Sequence, residues 1–185
     1  MSDRIPRLQF EELEAGLAEV LRPRVERLGY LGELFQCAGH APKVLQNFMQ
    51  MTEELKQAVP DNLTETVALT IATSTENIYE RNQHERLSRR LGYSLEWIAE
   101  VNACDPEETL HMSDDEIAAQ KYALAAIKTF GNDVAQEFDV LIDEVGHAVA
   151  VALAMAVGRC ITHAITVNTL ELAPPAPSVF EKDVV

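Results

Sequence analysis

The segment HAVAVALAMAVGRCITHAITVNTL, from His147 to Leu170, constrains this chain's fold more than any other. Apolar side chains cover nearly its whole circumference through the centre, so as a helix it must be buried in a core or in a subunit interface. A bilayer is the other apolar environment. However, the longest unbroken run, Ala148–Gly158, ends at Arg159 and falls short of the roughly 20 residues that a span needs.

The rest of the chain supplies partners for that helix. No alternating apolar/polar run and no Asn-Gly or Asp-Gly hairpin signal is present, whereas helical periodicity recurs throughout. FEELEAGLAEVLRP reads as an amphipathic helix that Pro23 ends or kinks. A second helix begins near Pro42 and places Val44, Leu45, Phe48 and Met49 on one side. Pro60-Asp61-Asn62 breaks the chain before LTETVALTIAT, which is apolar on most faces. Thr73-Ser74-Thr75 is expected to cap the next helix, ENIYERNQHERLSRRL, which Gly92 stops. Ser94 caps SLEWIAEV, and Ser113-Asp-Asp-Glu116 is a capping box. Val134, Phe138, Leu141 and Val145 mark a further helix that Gly146 closes. The expectation is an all-α protein of roughly eight helices in one domain over 1–185. Residues 1–60 form N-terminal helices, 61–110 a core helix pair, 111–170 C-terminal helices, and 171–185 a Pro-rich tail draped over a neighbour.

Thirty acidic against fifteen basic residues give a formal charge of −15. That charge opposes nucleic-acid binding, which needs concentrated Lys and Arg, and disfavours a membrane surface. The N-terminus has no apolar signal core, and Cys37, Cys104 and Cys160 are scattered. The expected setting is cytoplasmic, with reduced thiols.

One constellation carries chemistry. Asn77, Glu80, His84 and Ser88 share one helix face, with Asn77 in the first turn, where unpaired N–H groups favour negative charge. Glu80 can orient His84, the side chain best suited to move protons near neutral pH. An exposed i,i+4 surface pair has the same spacing. Glu65, early in the apolar helix, needs a partner if buried, although Asn62-x-x-Glu65 also fits a capping-box variant. Arg159 and His163, four apart on the apolar helix, call for a carboxylate of the protein or of a substrate; a structural ion pair or an interface contact accounts for them. His40, His111 and His147 read as turn, solvated-loop and helix-start residues. Cys37 and Cys160 read as small buried hydrophobes, and Cys104 as a loop thiol.

HAPKVLQNFMQM, ETVALTIATSTENIYERNQHERLSRRLG and the capped SDDEIAAQKYALAAI resemble the carboxymuconolactone decarboxylase/alkylhydroperoxidase D superfamily over most of the chain. The resemblance implies an all-helical AhpD-like fold, a homo-oligomer (trimer or hexamer), and a relay in which Glu65 and His84 match the family's Glu and His. In the peroxidase branch, two cysteines precede that His by seven and four residues. Asn77 and Glu80 stand there instead, and Tyr79 replaces a His found in some members. The proton-handling half of the site is thus retained without the redox half, as in the thiol-free, decarboxylase-like branch.

The function expected from these readings is cofactor-free acid/base chemistry on a small carboxylated or lactone-type molecule, with no metal. His84, Glu80 and Glu65 are the catalytic candidates, and Asn77 and Tyr79 the substrate-binding ones. A peroxidase-like antioxidant protein and a non-catalytic ligand-binding oligomer are the alternatives.

Overall fold

The structure, a computed structural model, describes residues 4–181. After a single 3-10 turn at Phe10–Glu12 come α1 (Ala15–Leu28), α2 (Glu33–Ala38), α3 (Pro42–Ala58), α4 (Asp61–Ser74), α5 (Ile78–Leu91), α6 (Leu95–Ala103), α7 (Asp114–Thr129) and α8 (Ala135–Thr169). No strand occurs among the described residues, so the all-α expectation holds.

Helix α4 is the hub, packed by α5, α6, α7 and α8. Its Leu63, Val67, Ala68 and Ile71 meet Ala119 and Ala123 of α7 and Leu153 and Val157 of α8 in the main core. The alanines let the backbones approach closely, which is why α4 is buried from Leu63 to Ala72 except for Thr64. A smaller cluster of Leu17, Leu21, Phe35, Leu45 and Met49 joins α1, α2 and α3, and α3 packs on α8.

Several local signals act as their chemistry requires. Pro42 opens α3, Gly92 ends α5 in the left-handed region at φ 100°, and Ser94 Oγ accepts the Trp97 N–H at 3.0 Å. Glu116 closes the capping box on Ser113 N at 2.9 Å and also accepts the Trp97 indole N–H at 2.9 Å.

Three features differ from what the sequence predicts: the extent of α1, the cap of α5 and the face of Val44. Helix α1 starts at Ala15 and runs through Pro23 to Leu28. The carbonyl of Glu19 that loses its partner to Pro23 belongs to an exposed residue, so water can satisfy it. Thr73 and Ser74 end α4, and the cap of α5 is Asn77. At Gly146 (φ 77°, ψ 164°) the backbone is non-helical, so α8 is two helices joined at a kink, as the sequence predicts. Val44, expected on the buried side of α3, is exposed.

The tail folds back onto α5 of its own chain. Asn82 Nδ2 donates to Ala176 O (2.9 Å), and Arg86 Nε donates to Pro177 O (2.8 Å). Buried Glu85 accepts from Ser178 Oγ (2.5 Å) and Val179 N (3.1 Å). The expected end of the tail, Lys182–Val185, lies outside the described residues.

By length and composition α8 could cross a membrane. Its packing on α3, α4 and α7, the kink at Gly146 and the engaged Arg159 and His163 are those of a core helix. Its outer side nevertheless leaves Val151, Met155 and Ile165 exposed.

Candidate active site

Three helices bring the site together. Glu76, at φ 54°, turns the chain out of α4. Asn77 then caps α5, its Oδ1 accepting the Glu80 N–H at 3.1 Å. This start sets Glu80, His84 and Ser88 one helical turn apart on the face toward α4 and α8. Glu65 comes from α4, and Arg159 and His163, again one turn apart, come from α8.

His84 lies between two carboxylates: Nδ1 is 2.8 Å from Glu65 Oε2, and Nε2 is 3.3 Å from Glu80 Oε1. Ser88 Oγ donates to the same Glu65 oxygen at 3.3 Å. Both ring nitrogens therefore face acceptors, an arrangement that only the imidazolium satisfies fully. Burial opposes that charge, but the attraction and hydrogen bond of Glu65, with those of Glu80, hold the His84 pKa well above its ordinary value.

Glu80 is the hub. Oε1 accepts from Arg159 Nη1 at 3.0 Å, and Oε2 lies 3.1 Å from His163 Nε2. Burial would protonate this carboxyl. His163, the His84 hydrogen bond and Arg159 outweigh burial and keep the Glu80 pKa well below the usual carboxylate range. Because Asn77 Oδ1 is used by the helix cap, its Nδ2 donates to His163 Nδ1 at 3.2 Å. His163 must then carry its proton on Nε2 and give it to Glu80. Burial, helped by Arg159 and His84 against Glu80, pushes the His163 pKa down to about 4. At neutral pH it is thus a neutral donor. Arg159 is fixed further by Nε donation to Thr52 Oγ1 (3.2 Å) and by lying over the Phe48 ring at 4.9 Å.

Glu80, His84, Arg159 and His163 line a cavity of about 400 Å³, whose apolar walls include Phe35, Phe48, Met49, Leu55 and Leu87. Tyr79 also lines it. Its ring is tilted on His163 at 6.1 Å, and its hydroxyl lies by Gly32 and Leu34. Burial pushes that hydroxyl up to about 12, so it remains a donor. Asn77 is buried behind the lining and reaches the cavity through His163.

The structure thus gathers Glu65, Tyr79, Glu80 and His84, with Asn77 one layer back. The solvent-exposed surface-pair alternative for Glu80 and His84 fails. So does the capping alternative for Glu65, because Asn62 instead donates to Asp115 at 3.3 Å. Arg159 and His163 are site residues that the sequence reading left as an ion pair or interface contact. Their signal was a pair of polar residues one turn apart on an apolar helix. Cys160, read as a buried hydrophobe, also lines the cavity, 4.0 Å from Arg159 Nη1; burial raises its thiol pKa. Cys104 ends α6 at φ 54°, away from the cavity lining. Among the described residues no group of three or more His, Cys, Asp or Glu side chains is arranged so that it could hold a metal ion.

No protein-family model matches the sequence, and no curated protein matches it either. Solved structures do. A peroxidase-related protein from Ralstonia eutropha JMP134, described as an alkylhydroperoxidase AhpD core, superposes with a TM-score of 0.81 at 14% identity, over 92% of this chain and 91% of its own. The chain has the AhpD-like fold. The debrominase Bmp8, in a cysteine-to-alanine variant bound to 2,3,4-tribromopyrrole, matches at TM-score 0.80 and 16% identity, over 95% and 94% of the two chains. A protein of unknown function from Agrobacterium tumefaciens, described only as a candidate antioxidant defence protein AhpD, matches at 0.65 and 15%, over 76% and 96%. The AhpD-like fold therefore occurs with more than one chemistry, and what this chain does depends on its own site residues.

Proposed function

We propose that this protein is a cofactor-free acid/base enzyme of the carboxymuconolactone decarboxylase type, acting on a small carboxylated or lactone-type molecule. The observation that carries this reading is the placement of His84, with Nδ1 2.8 Å from Glu65 and Nε2 3.3 Å from Glu80, at the wall of the cavity.

In a decarboxylation the C–C bond to the carboxylate breaks, CO2 leaves, and the electron pair stays on the substrate as an enolate-like anion. That anion must be stabilised and then protonated at carbon. Arg159 supplies fixed positive charge beside the cavity. His84 donates its Nε2 proton to the carbon, and solvent restores it. The longer His84–Glu80 contact is the one a substrate displaces, while Glu65 keeps Nδ1 and fixes the ring. Glu80 stays ionised on Arg159 and His163, and Asn77 selects the His163 tautomer that serves it. In this reading Tyr79, whose hydroxyl stays protonated, donates to a substrate oxygen.

Support for this reading over a peroxidase is chemical. Asn77 and Glu80 occupy the positions of a redox thiol pair, and the cavity thiol of Cys160 is held in its poorly nucleophilic protonated form by burial. The test is a screen of carboxylated lactones and β-keto acids for CO2 release, with wild type against His84→Gln. Turnover that depends on His84 and needs no thiol supports the proposal. Turnover only of hydroperoxides, with stoichiometric thiol consumption, refutes it. The protein also acts as a homo-oligomer, a trimer or hexamer, in this proposal; the support is the unburied apolar side of α8.

A further inference from the structure

The cavity is charged in a way that the molecule as a whole is not. Five of the fifteen Lys and Arg side chains line it, namely Arg24, Arg27, Lys56, Arg90 and Arg159, against one of the thirty acidic residues, Glu80. In a chain of net charge −15, this concentrates cations where the surroundings are acidic.

These cations are arranged by depth. Arg159 belongs to the floor, with 14% side-chain exposure and its Glu80 partner. Arg27, Lys56 and Arg90 are exposed, and Arg24 is half-buried. The same cavity has apolar walls that include Phe35, Phe48, Met49, Leu55 and Leu87. Arg24 and Lys56 share Glu53 at 3.3 and 3.2 Å, whereas no ion pair engages Arg27 or Arg90 among the described residues. The guanidiniums also share one field. Burial lowers the Arg24 pKa, Glu53 opposes this, and Arg27 and Arg159 lower it further.

We infer that Arg27 and Arg90 form an anion subsite at the cavity rim, so that the ligand is an amphipathic organic acid. Its apolar body fills the cavity, and it carries an acid group at the rim that is separate from the group handled at the floor. Two unpaired guanidiniums at a half-apolar opening offer charge-assisted, two-pronged hydrogen bonds to such a group. They also attract anions toward an otherwise repellent surface. This inference rests on the cavity being the substrate site, but not on the reaction performed there.

The test is therefore a binding experiment without turnover. Calorimetry on the full-length protein compares 4-phenylbutyrate with 4-phenylbutanamide, which has the same body and no charge. The acid should bind about tenfold more tightly in wild type, the gain expected from one good charge-assisted contact. That preference should weaken with added salt. In R27Q/R90Q it should disappear through weaker binding of the acid, with the amide unchanged. His84→Gln should leave the preference in place, which separates the subsite from the acid/base reading. Equal affinity for the two probes, no detectable binding of the acid, or a preference that survives R27Q/R90Q overturns the inference.

Discussion

At the scale of single residues, the site is a chain of hydrogen bonds with one consistent set of proton positions. His84 is charged, Glu80 ionised and His163 neutral, and each state follows from its neighbours. Replacing His84 with Gln should cost two to four orders of magnitude in turnover, the usual range for a lost general acid, while circular dichroism and Tm show the fold retained. Cys160→Ala should keep most of the turnover, since the thiol is protonated; loss of activity with an unchanged Tm would favour the thiol alternative. His163 gives a stability prediction. Its folded pKa of about 4 lies below the ordinary 6.5, so in that window the unfolded chain takes up a proton that the folded chain refuses. Stability therefore falls as pH drops from 6.5 toward 4, by at most about 3 kcal/mol from this group. Denaturant titrations of His163→Gln should show a flatter profile over the same range. Glu65, Glu80 and His84 were legible because a carboxylate on a buried helix and an i,i+4 pair both demand partners. The link from Glu80 to Arg159 crosses 79 positions, and no local signal encodes which carboxylate an arginine that far along the chain will meet.

At the scale of elements, α5 is held from two sides. Its site face meets α4 and α8, and its other side carries Asn82, Glu85 and Arg86, which hold the returning tail. Glu85 is the keystone: it is buried, accepts from Ser178, Val179 and Asn102, and lies 3.6 Å from Arg81. Glu85→Ala leaves those donors without their acceptor, at a cost of about 2 kcal/mol. It should lower Tm and speed amide exchange in both α5 and the tail. Unchanged exchange in the tail would mean that the strap is held without Glu85. Helix ends were readable where the signal was chemical and local, as at Pro42, Ser94, Ser113 and Gly92. They were misplaced where two candidate caps competed. Thr73, Ser74 and Thr75 all resemble caps, but α4 continues through Ser74, the chain turns at Glu76, and Asn77 Oδ1 is the acceptor at the first turn of α5. The tail's return could not be read, because its contacts are mostly backbone carbonyls and amides, which carry no residue-type signature.

At the scale of the whole molecule, the apolar C-terminal part of α8 is a core helix on one side only. Leu153, Val157 and Cys160 are buried against α4 and α7, while Val151, Met155 and Ile165 remain uncovered. Exposed apolar side chains repeated along one helix side are normally covered by a partner. Light scattering at micromolar concentration should give a mass of three or six protomers of 20.5 kDa each, and Met155→Glu with Ile165→Glu should lower it. A single 20.5 kDa particle in wild type would contradict the oligomer. The resemblance to the AhpD-like fold was readable from motif order, and the superpositions bear that fold out. What one sequence does not carry is the shape of the cavity, which takes its walls from α1, α2, α3, α4, α5 and α8 at once.

The central claim is that His84 rests as an imidazolium shared by Glu65 and Glu80. The direct measurement is a pH titration of its ring nitrogens by 15N NMR, with His84→Gln assigning the signal. Two protonated nitrogens at pH 7, a midpoint well above 6.5, and a fall in that midpoint in Glu65→Gln are expected. A neutral His84 ring at pH 7, titrating at or below 6.5 and indifferent to Glu65→Gln, would contradict it.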